Sequence, residues 1–250
     1  MKQEIILIIL ITLLLMLLTC CDREDAHDMF KTRGAAVVEH IALPVFNGID
    51  ILNGINVVLT QGDIYAATIE GWKNLMPKIH LSVDEDGVLM IEDRNTFNFV
   101  RSRDNMTTVY LTFGGELNTI NFSGNGYIVS NDTISTGGLT VLSLNASGNV
   151  DLKLKTEGLG IGTNQSNIAS IIISGVSYSV SVTNWGYSPI DLSGLKAYNA
   201  DVHHHGTGNV YINASESLSV VLYGVGNVYY TGNPAIMLTR KGKGNMFKLY

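Results

Sequence analysis

The chain is short of cysteine, proline and charge. It has 2 cysteines, 4 prolines and 15% charged residues in 250, against about 25% charge in an average soluble domain. The two cysteines are neighbours, Cys20 and Cys21, so the chain beyond them has no disulfide and no cysteine metal site. No apolar run reaches the roughly 20 residues of a comfortable transmembrane helix. There is no basic surplus: 22 acids face 16 bases, for a formal charge of −6. That excludes the basic patch of a nucleic-acid binder. Disorder is excluded too, because hydrophobic residues make up 46% of the chain and can bury a core. Neither a GxSxG elbow nor a phosphate-binding glycine loop ahead of a helix occurs.

The charge that is present is unevenly placed. Asp22 to Glu116 holds 15 acids and 8 bases, whereas Leu117 to Tyr250 holds 6 and 7. The second half consists largely of Gly, Asn, Ser, Val, Ile, Leu and Tyr. Such residues suit strands joined by tight corners.

At the N-terminus, Ile5 to Leu18 is apolar except for Thr12. It fits the h-region of a signal peptide, with Lys2 as a short n-region. The following Leu17-Leu18-Thr19-Cys20-Cys21 resembles a bacterial lipobox, with Thr19 in place of the usual Gly, Ala or Ser. The resemblance implies a signal peptide over 1–19 and lipidation of Cys20, with Cys21 the alternative. An acidic tether over 20–36 follows, opening on Asp22-Arg23-Glu24-Asp25, and resembles the tethers of Bacteroidetes lipoproteins sent to the cell surface. The expected location is the outer membrane, with the lipid anchor as the link to the bilayer.

From residue 37 the pattern alternates. Ile49 and Ile51, then Ile55, Val57 and Leu59, mark half-buried strands, with Asn53-Gly54 as the turn between them. Ile79, Leu81 and Val83, the turn Asp84 to Gly87, and Val88 to Ile91 read as a hairpin. The acids at its tip lack the spacing of a calcium loop. Thr108 to Phe113 is a further strand.

The second half repeats. Ala146 to Leu152 (ASGNVDL), Gly206 to Ile212 (GTGNVYI), Gly224 to Tyr230 (GVGNVYY) and Gly242 to Lys248 (GKGNMFK) each place a Gly-Asn corner before a strand. Looser copies are read at Ser123 to Val129, Ser174 to Val180 and Asn184 to Leu192. A period of about 20 residues indicates a solenoid. No helix-forming stretch separates the copies, so the expectation is an all-β, right-handed parallel β-helix or β-solenoid. It would have irregular strands over 37–116 and about seven rungs over 117–250. At about 4.8 Å per rung the rod would be about 33 Å long. The corner glycines are expected to supply left-handed backbone. Asn149, Asn209, Asn227 and Asn245 are expected to stack into a hydrogen-bonded corner ladder.

The run Gly48-Ile49-Asp50, then Gly54-Ile55-Asn56-Val57-Val58-Leu59-Thr60-Gln61-Gly62-Asp63, resembles the signature of the putative auto-transporter adhesin, head GIN domain family. Asn74-Leu75, Gly87-Val88-Leu89 and Tyr110 to Gly124 extend the resemblance over nearly all of the chain beyond the tether. The family is implied to consist of exported, mostly Bacteroidetes lipoproteins with a β-solenoid fold. Its function is not established, and "adhesin" is an inference from fold. With no C-terminal membrane barrel legible in it, this chain is not expected to be a whole autotransporter.

Register separates inside from outside. Lys153, Lys155 and Asp151 must face water, so Val150, Leu152 and Leu154 point in. Carried over by the asparagine alignment, Val210, Ile212, Val228 and Tyr230 point in. Tyr211, Tyr229 and Phe247 then form an outward aromatic stripe, a candidate contact for glycan, protein or a second copy. Lys248 falls on an inward position, which marks its rung as frayed or capping. In His203-His204-His205 the outer two share a face. With Asp201 they are a candidate Zn²⁺ or Ni²⁺ set, while His204 is expected opposite, in line with Leu144 and Leu222. Asp132-Thr133-Ile134 resembles a Bacteroidetes O-glycosylation acceptor at Thr133. No catalytic residue and no cofactor is assigned, since the six acids of the second half form no close pair. The expected function is therefore non-catalytic, adhesin-like binding. A carbohydrate-active β-helix enzyme is the alternative, because coiling brings distant carboxyls together. A self-associating envelope component is the second alternative.

Overall fold

The structure is a computed structural model that describes residues 32–96 and 106–250. The signal segment and both candidate lipidation cysteines lie outside the described residues. Among the described residues every regular element is a strand, apart from one 3₁₀ turn at Met76–Lys78. Two rows of parallel strands form the sides of a solenoid.

The first side stacks β6 (Val88–Asp93), β2 (Gly48–Leu52) and β8 (Thr119–Ser123), followed by the C-terminal parts of four long strands. These are β10 (Ile134–Ser143), β11 (Asn149–Thr163), β12 (Ser170–Asn184) and β13 (Ile190–His204). It ends with β14 (Val210–Leu222) and β16 (Ala235–Arg240). The second side stacks β7 (Thr107–Gly114), β3 (Ile55–Gly62) and β9 (Tyr127–Ser130), then the N-terminal parts of β11 to β14. It ends with β15 (Val228–Thr231) and β17 (Met246–Lys248).

Stacking order departs from chain order at the start. The rung made by β2 and β3 lies between the β6–β7 rung and the β8–β9 rung. Asn53-Gly54 is therefore a solenoid corner and not a hairpin turn, because β2 and β3 do not pair with each other. Asn53 takes the left-handed backbone there, at φ 67°. Antiparallel strands close this end: β4 (Ala66–Trp72) on β7, β1 (Ala36–Ala42) on β4, and β5 (Ile79–Val83) on β6. The expected hairpin over 79–91 is thus the β5–β6 pair, with Asp84 Oδ1 accepting from the Asp86 and Val88 N–H groups at its tip.

Alternation delivers one apolar residue inward at every second position. Val150, Leu152, Leu154, Val210, Ile212 and Val228 are all buried, as the register requires, and Tyr230 packs half-buried against the same core. Along β11 the buried positions run through Thr156 and resume at Leu159. The change of phase marks a bend between the two sides. Buried hydroxyls line its inner surface: Thr136 donates to Leu117 O at 3.0 Å, Thr156 to Gly158 O at 3.0 Å, and Ser177 to Ser179 O at 2.7 Å. They satisfy carbonyls that the bend removes from the ladder.

Two expectations are corrected. Ser174 to Val180 is no corner, because Ser174 pairs with Lys153 inside a strand. The rung's corner falls instead at Asn167–Ala169, where the Gly-Asn pattern is absent. The corner glycines Gly126, Gly148, Gly208, Gly226 and Gly244 do not adopt left-handed backbone. They are required because successive corners nearly touch. A Cβ on Gly148, Gly226 or Gly244 would run into the carbonyl oxygen of Gly126, Gly208 or Gly226, respectively, one rung below.

Candidate functional site

In a parallel solenoid each position lies above its counterpart one rung below, so repeated side chains stack. The expected stripe does so: ring centroids are 4.9 Å apart for Tyr211–Tyr229 and 5.4 Å for Tyr229–Phe247. Earlier rungs fill this column with Asp191, Ile172 and Asp151. Tyr211 and Tyr229 are half-buried and cover each other's faces.

A second aromatic column was not legible in the sequence. Trp185, His205 and Tyr223 stack at 3.7 and 4.2 Å, and Lys241 Nζ lies 4.9 Å from the Tyr223 ring centre. Leu144 belongs to this column by register, which corrects its expected alignment with His204. Burial, with His203 nearby, pushes the His205 imidazole down from its ordinary range. His205 is thus committed to a ring stack, while His203 Nε2 pairs with Asp201 Oδ2 at 3.1 Å. Among the described residues no group of three or more such side chains is placed to hold a metal ion, so the expected His203–His205–Asp201 set does not assemble.

His204 points inward, as expected, beside Leu222. Its column contains Ser143, Thr163 and Asn184. These join a buried polar network. Thr163 donates to Asn184 Oδ1 at 2.8 Å, Ser143 to Asn167 Oδ1 at 3.1 Å, and Asn167 Nδ2 to Ser188 Oγ at 2.6 Å. The network stops at His204, whose two ring nitrogens are buried without a hydrogen-bond partner. The backbone of Asn184 and Gly208 faces the ring but not at hydrogen-bonding geometry. Burial pushes the imidazole below its ordinary range, against the opposing effect of that backbone.

The asparagine ladder is continuous over three rungs. Asn209 Oδ1 accepts from Asn227 N–H at 3.2 Å and Asn227 Oδ1 from Asn245 N–H at 2.9 Å. Asn149 shares the column, but Ser170 and Pro189 intervene by register. Asn227→Ala is expected to cost about 1 kcal/mol in chemical denaturation, and Asn149→Ala clearly less. Lys248 is exposed and donates to Asn233 Oδ1 at 2.7 Å, so its rung buries no charge. Thr133 is exposed between β9 and β10.

A concavity follows the outer surface of the bend, an open groove of about 910 Å³. Tyr178 and Tyr198 stand in it, 61% and 54% exposed, stacked with centroids 5.7 Å apart. Lys155, Val176 and Lys196 form the neighbouring column, and Glu116 and Glu157 line one end. Backbone irregularities place these residues. The β12–β13 register shifts between Ile172 and Gly175, and Gly175 takes φ 116°. Such bulges re-aim the side chains that follow. The sequence signal was present as Glu157, Tyr178 and Tyr198, one rung apart each, but reading Ser174 to Val180 as a corner hid it.

Fold and surface together define a parallel β-solenoid with a built outer groove. The chain belongs to the family described as putative auto-transporter adhesin, head GIN domain, which it matches over residues 45–234. It is similar in structure to a putative adhesin from Bacteroides fragilis at 23% identity and TM-score 0.77, covering 86% of this chain and 97% of that one. It is also similar to a putative lipid binding protein from Parabacteroides distasonis, at 18% identity and TM-score 0.67, covering 87% and 98%. A putative adhesin from Parabacteroides merdae matches at 19% identity and TM-score 0.58, covering 87% and 97%. At these identities the likeness establishes the fold. No curated protein matches the chain.

Proposed function

We propose that this is an exported, lipid-anchored, non-catalytic envelope protein that binds an extended glycan chain along the bend groove. The observation that carries the reading is the pair Tyr178 and Tyr198, two aromatic rings that stand widely exposed inside a concave surface. Exposed aromatic surface in a groove is a recognition feature, and sugar rings pack on such faces. Tyr178 and Tyr198 also stack, but they stay more than half exposed, whereas Tyr211, Tyr229 and His205 in the other two columns are half-buried. The family description and the adhesin-named neighbours support a binding role, and the Leu17 to Cys20 pattern supports the anchor.

Tyr178→Ser combined with Tyr198→Ser is expected to abolish retention of glycans on an array, a loss of tenfold or more at about 1–3 kcal/mol per lost ring contact. Tyr211→Ser with Tyr229→Ser is expected to leave it intact. The reverse pattern would move the site to the stripe.

Two competing readings have their own observations. Glu116 and Glu157 line the same groove, but both stand exposed, unlike the desolvated acid of glycoside cleavage. Shortening of the bound oligosaccharide on incubation would establish the enzyme reading. Self-association draws on β16, an exposed edge with Ile236 and Met237 uncovered, and the mass in solution decides it.

A further inference from the structure

The charge pattern of the groove narrows the ligand. Resting on the glycan reading, we propose that the chain bound there is acidic and carries its carboxylates on alternate sugars.

Lys155, Val176 and Lys196 follow one another in a single outward column on three successive rungs. The two ammonium groups are therefore held two rungs apart, about 9.6 Å at the usual strand spacing. Neither lies within ion-pair distance of a carboxylate among the described residues. That is unusual only in its setting. From Leu117 onward the chain keeps few charges, yet two unpaired cations share one groove. Tyr178 and Tyr198 occupy the adjacent column on the rungs of Val176 and Lys196.

A sugar in an extended chain advances by nearly one rung spacing. A chain running along the groove thus meets Lys155, then Val176 with Tyr178, then Lys196 with Tyr198. The first and third sugars face a cation and the second faces an apolar side chain. Carboxylates on alternate sugars match this order. A chain charged on every sugar would place one anion against Val176. Glu157, two residues from Lys155 on the same outward face, and Glu116 at the same end would repel any further charge. Lysine meets such anions as a solvated point charge, so the contribution is modest and sensitive to salt.

The test uses calorimetric titration with an octasaccharide of hyaluronan, which has a carboxylate on every second sugar, and with its carboxyl-reduced form. The acidic form is expected to bind about tenfold tighter or more, and the gap to close as salt rises from about 0.05 to 0.5 M. Lys155→Gln and Lys196→Gln should each weaken the acidic form by about three- to tenfold and leave the reduced form unchanged. Oligogalacturonate, charged on every sugar, is expected to bind more weakly than the hyaluronan octasaccharide. Equal, tyrosine-dependent binding of both octasaccharides would overturn the acidic specificity and leave the glycan reading standing. Binding of neither would overturn both. Lysine-dependent binding to phosphatidylglycerol vesicles without binding of hyaluronan would assign the groove to lipid headgroups and overturn the proposal.

Discussion

Gly148→Ala is expected to yield no folded protein, or one less stable by more than about 4 kcal/mol. The added Cβ would overlap the Gly126 carbonyl oxygen and come within 2.8 Å of the Phe122 ring. The backbone cannot retreat, because the same corner is hydrogen-bonded on both sides. Asn149 N–H donates to Gly126 O at 3.1 Å, and Ser170 N–H donates to Gly148 O at 3.1 Å. Moving one rung would break contacts to two neighbours. Gly138→Ala is the matched control, since its Cβ would meet nothing nearer than 3.9 Å and its backbone is not left-handed. That variant should stay within about 1 kcal/mol of the parent. Circular dichroism with urea titration compares the two, and similar midpoints would refute close approach as the role of the corner glycines.

Protonation of His204 is expected to be the main pH-dependent weakness of the solenoid above the carboxylate range. The imidazole is fully buried, lacks a hydrogen-bond partner and is pushed down by burial. In the unfolded chain it titrates near pH 6.5. Above that pH both states are neutral and stability is flat. Below it the unfolded state binds a proton that the native state refuses, so stability falls as pH drops, by up to about 1.4 kcal/mol per pH unit. His205 adds a smaller effect of the same sign, being pushed down less enclosed. His204→Leu places beside Leu222 a side chain of the kind that already fills that column. It should flatten the slope below about pH 6.5 and gain on the parent as the pH falls. Thermal melts across that range decide it. An unchanged slope would place the proton-linked group elsewhere.

The repeat was readable wherever the corner chemistry was repeated. The 18-residue spacing of Gly208, Gly226 and Gly244 gave register, and register gave the inward residues and the Tyr211–Tyr229–Phe247 stack. It failed at the two middle rungs, where Ala169 and Ser188 occupy the glycine position and Ser170 and Pro189 the asparagine position. Those corners are secured by the buried Asn167 instead, whose Oδ1 accepts from Ala146 N–H at 2.9 Å while its Nδ2 reaches Ser188. Without a repeated corner, Ser174-Gly175 was mistaken for one, and Tyr178 and Tyr198 were lost with it. The need for glycine at the corners is hidden from the sequence by a related cause. Left-handed backbone is a local property, whereas contact between one corner and the next exists only after the chain has coiled.

Scarce charge, adjacent cysteines and periodic Gly-Asn corners by themselves determined an all-β solenoid with no disulfide beyond Cys21. Each rests on a residue's own chemistry or on its alternation along a strand, and both are local. Tertiary structure alone decided the out-of-order first rungs, the unpartnered His204 and the groove across the bend. Lys155, Tyr178 and Lys196 lie about 20 residues apart in sequence, and only the number of residues consumed by each corner and bulge settles which of them meet.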